Sequence, residues 1–571
     1  MKNLNKRNAS SKIVIYQVLP RLFGNDNSNC TYNGDMATNG CGKLADFDKK
    51  ALSKIKELGA THIWYTGVIE HATQTDYSAY GIPVDHPAIV KGKAGSPYAI
   101  KDYYDIDPDL AVDVDNRMGE FEALVERTHK AGLRMIIDFV PNHVARQYCP
   151  DKQPEGTAVL GEGDDPTQAF STENNFYYIP QSELHGQFDM RGDAAETYRE
   201  FPAKATGNDR FDAYPNSNDW YETVKLNYGV DYCNGRSCHF SPTPDTWQKM
   251  VQILLFWASK GIDGFRCDMA EMVPVEFWEW AIPQVKTAYP DIIFIAEVYN
   301  PAEYRNYIFR GGFDYLYDKV GLYDTLRNIT CGQESATAIS RCWQSLEGIE
   351  KKMLNFLENH DEQRVASDYF AANPFKAVPA LIVSACMNTN PMMIYFGQEF
   401  GEMGMDSEGF SGRDGRTTIF DYWSVETIRC WRNEGKFDGK LLTKEQKLLQ
   451  GIYKKVLHIC NDEKAVSEGS FFDLMYANIN GWRFNEHKQY AFFRKHDNEL
   501  LLIAVNFDSL PADIAINIPP HAFDCLQIQP IDCCKATDLL TGKEEEISML
   551  PHKATEVKLP SHGGKILKIV L

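Results

Sequence analysis

Between positions 13 and 396 the sequence repeats one pattern eight times: a short run of β-branched and aromatic residues, then polar punctuation, then in most intervals an amphipathic stretch. The strand-like runs are residues 13–19, 61–68, 135–140, 264–267, 292–296, 313–317, 354–357 and 392–396. Helical periodicity marks residues 47–58, 120–131, 247–260 and 277–287. The third of these stops at Gly261, a residue type that ends helices because it accepts a left-handed backbone. Strands alternating with helices build βαβ units and a parallel sheet. Eight such units predict an α/β fold, the (β/α)8 TIM barrel, whose functional groups gather at the C-terminal ends of the strands.

Two stretches break the pattern. Residues 144–234 are rich in Gly, Asp, Asn and Pro and contain no long periodic segment. A structureless loop of that length is implausible in a compact barrel, so a small inserted domain is expected after the third strand. Toward the C-terminus, short runs at 489–494, 500–506, 512–518 and 565–571 predict a β-sandwich domain. The expected organisation is barrel over 1–143, insert over 144–234, barrel again over 235–466 and sandwich over 467–571. A chain of 571 residues has room for two or three such domains.

Charge narrows the partners. The formal net charge is −20 and no run of Lys or Arg offers a basic face, which argues against nucleic acid as a partner. The acidity serves solubility. No stretch approaches the ~20 apolar residues of a membrane helix, so no membrane partner is expected. The polar, basic N-terminus has no apolar run behind it and reads as lacking a secretory signal. The 14 cysteines are scattered, which suits reduced thiols in the cytoplasm better than a disulfide framework. Cys233, Cys238 and His239 are too few for a zinc site and read as free side chains.

The strand ends carry the chemistry. Polar groups follow the apolar runs at four of them: Asp138 with Asn142 and His143, Arg266 with Asp268, Glu297, and Asn359 with His360 and Asp361. One carboxylate after a strand is commonly a helix cap. Four polar clusters that a barrel would draw around one mouth point instead to catalysis. Cleaving a glycosidic bond takes one carboxyl group to protonate the leaving oxygen and another to attack or to activate water. Arg266 beside Asp268 is expected to lower the pKa of that carboxyl and keep it anionic for attack. Glu297, on a longer side chain from the next strand, suits the proton donor.

Asp138-Phe139-Val140-Pro141-Asn142-His143, Gly264-Phe265-Arg266-Cys267-Asp268, Ala296-Glu297-Val298 and Glu358-Asn359-His360-Asp361 resemble, in order and spacing, the four ordered sequence regions of the α-amylase family. Tyr16-Gln17, residues 102–108 and Tyr395-Phe396-Gly397-Gln398-Glu399 resemble further segments of it, so the likeness extends over most of the chain. The resemblance implies a retaining mechanism through a covalent glycosyl-enzyme. Asp268 would be the nucleophile, Glu297 the acid/base, and Asp361 the third carboxylate, binding sugar hydroxyls and favouring the distorted ring. It further implies His143 and His360 as hydrogen-bond partners of the sugar, Arg266 as the group that orients the nucleophile, and Tyr98 as the stacking platform. An oxocarbenium-like transition state is flat and cationic, so anions and an aromatic face stabilise it.

The chain departs from the family pattern at three places. Ala99 stands where the family often has Asp after the platform, and Glu271-Met272 where many α-amylases have Lys-His. Those latter positions help bind sugars beyond the cleaved bond, so Glu271 implies a different acceptor-side preference. Val224-Lys225-Leu226-Asn227 resembles the family's fifth region as it stands in neopullulanase- and cyclomaltodextrinase-like members, with Lys225 at the position of a calcium-ligating Asp. An ammonium cannot coordinate Ca2+, which takes oxygen ligands. Lys225 is therefore expected to fill part of that space and to pin the insert to the barrel through Asn142. No metal is expected among the site residues and no cofactor is required. The loop Asn25-Asp26-Asn27-Ser28-Asn29 could hold Ca2+, although such runs also suit plain turns. Phe176, Tyr177, Tyr178, Trp220 and Tyr221 suit sugar stacking and an aromatic mini-core equally.

The sequence thus predicts a cytoplasmic enzyme hydrolysing α-1,4-linked glucans or maltooligosaccharides. Sugar transfer from the same glycosyl-enzyme is the alternative. A non-catalytic sugar-binding homologue would be expected to lack at least one of the three carboxylates. Nothing in these features fixes the oligomeric state.

Overall fold

The computed structural model describes residues 12–571; the N-terminal stretch read above as lacking a leader lies outside the described residues. Eight parallel strands close a barrel: β1 (Val14–Val18), β2 (His62–Tyr65), β3 (Arg134–Phe139), β4 (Gly264–Cys267), β5 (Ile293–Ala296), β6 (Tyr315–Tyr317), β7 (Met353–Phe356) and β8 (Met392–Tyr395). Each pairs with its neighbours in sequence, and β8 returns to β1.

Side chains alternate across each strand. Ile15, Trp64, Ile136, Ile295, Leu354, Phe356 and Met393 fill the barrel interior, while Val14, Tyr16, Ile63, Phe265 and Phe294 pack outward beneath the helices. Two residues farther along the same inner faces, Ile15 gives way to Gln17, Ile136 to Asp138 and Ile295 to Glu297. The period of two therefore turns an apolar interior into a polar mouth one layer up.

The helices follow from their ends. Lys49–Leu58 begins where the Asp48 carboxylate accepts from the N–H groups of Lys50 and Ala51, and it stops at Gly59 with φ 116°, a conformation that only a residue without Cβ adopts readily. Its buried stripe is Ala51, Leu52, Ile55 and Leu58. Among the described residues no helix is long and apolar enough to cross a membrane. The fourteen cysteines are all free thiols.

Between β3 and β4 the chain forms three short antiparallel ribbons: His143–Ala145 with Thr223–Lys225, Tyr178–Ile179 with Ala203–Lys204, and Val230–Asp231 with Ser237–Cys238. Ala88, Ile89, Leu184, Tyr198, Ala203 and Ala213 make a small core of their own. Phe176, Tyr177 and Tyr178 are buried and serve packing.

The first ribbon is the seam with the barrel. His143 lies opposite Lys225, whose ammonium is 2.5 Å from Asn142 Oδ1, 2.6 Å from Asp209 Oδ1 and 3.3 Å from the Met272 carbonyl oxygen. These residues do not fit the calcium that the family resemblance implies, because a fixed cation already lies among the oxygens. In the 25–29 loop, the side-chain oxygens of Asn25 and Asn27 accept from the N–H groups of Asn27 and Asn29, and the Asn25 amide donates to the carbonyls of Asn39 and Trp423. That geometry is a succession of Asx turns.

The C-terminal region is a six-stranded antiparallel sheet beside a two-stranded one. Sequence reading missed Ser470–Asp473, Ile531–Asp538, Glu544–Met549 and Thr555–Leu559. Ile531–Asp538 and Glu544–Met549 sit at one side of the sheet, carry many exposed positions, and so lack a strong apolar alternation. The region is fastened to the barrel by the Arg494 guanidinium, which donates to the carbonyls of Ala465, Val466, Gly469 and Met387. Gly564 permits close approach there: a Cβ at that position would stand 2.8 Å from the Ala504 carbonyl oxygen and 3.0 Å from Ile382.

Lys225→Met should lower the stability of the folded chain by about 2–3 kcal/mol, because it strips a buried amide and a carboxylate of their cation. The effect is smaller than for a fully buried pair, since Asp209 keeps 26% of its side-chain surface in water. Adding Asp209→Asn should recover part of the loss in urea denaturation. A Lys225→Met chain as stable as the parent would show that the ammonium does not hold the seam.

Candidate active site

Arg266 rises from β4 into the barrel mouth with 0% of its surface exposed. Its Nη1 is 2.8 Å from Asp268 Oδ1 and 3.3 Å from Asp138 Oδ1, its Nη2 is 2.7 Å from Glu297 Oε2, and its Nε donates to the Tyr317 hydroxyl at 3.1 Å. The rings of Trp64, Tyr98 and Tyr317 surround the guanidinium at 5.2, 5.4 and 5.5 Å. Burial works against this charge, but Glu297, Tyr317, Tyr98 and Asp268 hold it protonated well above the usual range.

The backbone fixes the carboxylates. Asp268 and Glu297 continue the sheet ladder, their N–H groups donating to Phe139 and Cys267 carbonyls. Met269 adopts φ 43°, a left-handed conformation costing about 1–3 kcal/mol in a residue with a side chain. That turn aims the Met269 N–H at Glu297 Oε2, at 2.8 Å. Asp361 sits on the loop after β7, where Asn359 Oδ1 accepts from the N–H groups of Asp361 and Glu362. Glu358 anchors the loop by accepting from Arg364 and from the Val365 N–H.

Three carboxyl groups therefore share one cation, and a fourth, Asp361, lies within reach of its charge. Burial pushes Asp268 well above the ordinary carboxylate range; Arg266 opposes this, and Glu297, Asp138 and Asp361 add to it. The sequence expectation that Arg266 would lower the pKa of Asp268 is corrected here, since removal from water outweighs the guanidinium. Burial and the Glu297 charge push Asp361 up to about 7, and burial pushes Asp138 up to about 6 against the pull of Arg266 and Trp64. Protons leave such a cluster in steps that belong to the group as a whole.

The histidines are neutral. Burial, helped by Lys225 and Lys91, takes His143 down to about 3, and burial with the Arg266 charge holds His360 well below the ordinary imidazole range. His143 Nε2 is 4.0 Å from Asp268 Oδ2. His360 is clamped between Gln17, 2.8 Å from Nδ1, and the Tyr98 hydroxyl, 2.5 Å from Nε2, with Asp361 Oδ2 at 3.1 Å. Tyr98 stacks on His360 at 5.2 Å. Ala99 is buried with Ala72, Val90 and Ala145, an apolar nest in which a carboxylate would find no partner.

Glu271 is not drawn into this cluster. Its carboxylate accepts from the Asn300 N–H at 3.0 Å, on the loop beyond β5. Three groups that sequence reasoning did not single out are present instead. Tyr317 and Trp64 flank Arg266, and the Tyr299 hydroxyl donates to Glu297 Oε1 at 2.5 Å. Tyr299 stands two positions beyond Glu297, the interval that returns a strand side chain to the same face, so spacing alone carried a signal. Of the insert's aromatics, Trp220 reaches the site, its ring 5.3 Å from that of His143.

The family model for the alpha-amylase catalytic domain matches residues 17–447. Alpha-amylase 3 of Dictyoglomus thermophilum is 24% identical over 395 residues, which is 65% of this chain and 68% of that protein. The cyclomaltodextrinase of Thermoanaerobacter pseudethanolicus is 21% identical over 544 residues, 91% of this chain and 75% of that one. The alpha-amylase from Geobacillus thermoleovorans, crystallised with acarbose, superposes with a TM-score of 0.64 at 17% identity, covering 99% of this chain and 100% of its own; the likeness is one of fold.

Asp138→Asn removes one of the charges that hold the Asp268 proton in place. The acid limb of the kcat/KM profile should then move to lower pH, because the nucleophile ionises more readily with one anion fewer beside it. The rate itself should fall, by up to about a hundredfold, as Arg266 loses a partner that positions it. Measured against pH with a chromogenic maltooligosaccharide, an acid limb that stays put or moves up would contradict the shared-cation arrangement.

Proposed function

The chain belongs to the alpha-amylase family, and from that premise we propose that it is a retaining glycoside hydrolase cleaving α-1,4-linked glucans or maltooligosaccharides. The observation that carries this reading is the fork of Arg266, with Asp268 on Nη1 and Glu297 on Nη2. Carboxylates held on adjacent nitrogens of one guanidinium favour the ~5–5.5 Å separation of retaining pairs over the ~6.5–9.5 Å that admits a water in inverting pairs.

The oxygens divide the work. Arg266 takes Asp268 Oδ1, which leaves Oδ2 to attack the anomeric carbon. Met269 and Arg266 take Glu297 Oε2, which leaves Oε1 to pass a proton to the departing glycosidic oxygen. Asp268 is then bonded to the sugar. In the second half Glu297 removes a proton from water, and the water oxygen bonds to the anomeric carbon as the Asp268 bond breaks. Asp361 supplies negative charge toward the sugar hydroxyls, and the neutral His143 and His360 serve as hydrogen-bond partners. Tyr98 offers the aromatic face, and Glu271, tied to Asn300, acts on the acceptor side through the loop it holds. The carboxylates provide nucleophile and proton, so the chemistry requires no cofactor. Fourteen unpaired thiols support a reducing, cytoplasmic setting.

A panel of starch, glycogen, pullulan, cyclodextrin, maltotriose, sucrose and trehalose, read by product chromatography, tests the substrate class. Maltooligosaccharide products are expected from the α-1,4-linked members and none from sucrose or trehalose. With maltotetraose, products shorter than the substrate mark hydrolysis, whereas longer ones would reassign the enzyme to sugar transfer. Asp268→Asn should lower kcat by at least ~10⁴-fold, and an unchanged rate would remove it from the nucleophile's place.

A further inference from the structure

Outside the catalytic constellation a second acidic cluster lies where the loop after β2 meets the root of the insert. Glu70, Asp105 and Asp151 bring carboxylate oxygens within 4.8 Å of one another. Glu70 is 1% exposed, yet neither of its oxygens accepts a hydrogen bond, and Asp151 Oδ1 accepts none either. Buried carboxylate oxygens are ordinarily satisfied, so three unpartnered ones in one cluster mark a site that lacks something. Arg117 answers only part of the need. Its Nη2 is 2.6 Å from Asp105 Oδ2 and 3.0 Å from Asp151 Oδ2, but 3.9 Å from Glu70 Oε2. Asp102 holds the far wall in place, its Oδ2 accepting from the N–H groups of Asp151 and Lys152.

Hard divalent cations are the species that carboxylate oxygens of this number and spacing recognise, with water completing the coordination shell. We propose that Glu70, Asp105 and Asp151 bind such a cation, Ca2+ or Mg2+, which ties the loop after β2 to the first residues of the inserted domain. The site is separate from the Lys225 seam and from the 25–29 loop, and it takes no part in bond cleavage. The competing way to satisfy Glu70 is a proton, since burial together with Asp151, Asp102 and Asp105 pushes its carboxyl up to about 10.

The full chain, stripped with EDTA and dialysed, is titrated separately with CaCl2 and MgCl2 by calorimetry and followed by thermal unfolding at neutral pH. One of the two cations should bind with a single-site isotherm and raise Tm by about 2–4 °C at saturation. Glu70→Gln keeps the shape and removes the charge, and it should weaken that binding by more than about tenfold, while kcat on maltotetraose is retained. Asp151→Asn, on a different segment, should do the same and serves where the first variant folds poorly. The idea fails if neither cation gives heat or a Tm shift. It fails equally if both variants bind as the parent does, which would put the ion elsewhere. A Glu70→Gln chain more stable than the parent, with no response to either cation, would show that a proton fills the role.

Discussion

One buried guanidinium is the charge on which the barrel mouth depends. Four consecutive strands or strand ends contribute to it: Asp138 from β3, Arg266 itself from β4, Glu297 from the end of β5 and Tyr317 from β6. Parallel register puts these side chains at one level, which is why a closed barrel can assemble them and a loose set of loops could not. The arrangement is costly to disturb. Three carboxylates withdrawn from water are tolerable only beside their cation, and the aromatic rings that exclude water also present π-faces on which a guanidinium rests favourably. Asp268 and Glu297 are thus oriented by the same group, so a displacement of Arg266 would misplace both.

Fixed charge recurs where the insert joins the barrel. The Lys225 ammonium touches the end of β3 through Asn142, the insert through Asp209 and the turn after the nucleophile through Met272. That seam therefore lies within one side chain of the strained Met269 turn that directs an N–H to Glu297. The single 3₁₀ turn from Met269 to Met272 thus connects the packing of the insert to the hydrogen bond on Glu297. Ala99, next to Tyr98, is buried among Ala72, Val90 and Ala145, while the charges gather on the β3, β4, β5 and β7 side around Arg266.

Much of this was legible before any coordinates. The eight strands announce themselves because each is a buried apolar run bounded by polar residues, and the catalytic carboxylates follow because they terminate such runs. The insert was legible as an interruption, and Lys225 as an ion unable to replace a ligand oxygen. What escaped was set by tertiary context. The left-handed Met269 has no signature in its residue type. Glu271 follows Asp268 by three residues, and one 3₁₀ turn sets its carboxylate on the Asn300 N–H, a partner that nothing in the residue order marks. The glutamate-rich strand Glu544–Met549 reads as a solvated loop because it lies at the edge of its sheet and exposes much of its length. Asp268 titrates higher than its Arg266 neighbour suggests because the residue order does not show how completely a carboxyl will be withdrawn from water.

The Tyr299 hydroxyl occupies Glu297 Oε1, the oxygen left free by Met269 and Arg266. In the resting enzyme the phenol donates to that oxygen, whereas a glycosidic oxygen carries no hydrogen and can only accept from it. An arriving glucan must therefore exchange one hydrogen bond for another, and the swap contributes almost nothing to ground-state affinity. The contact becomes worth more only as the scissile bond lengthens and its oxygen gathers charge, which the phenol can never do. A side chain that holds the proton donor's oxygen until the sugar claims it would thus favour sugar in the act of departing over sugar merely bound.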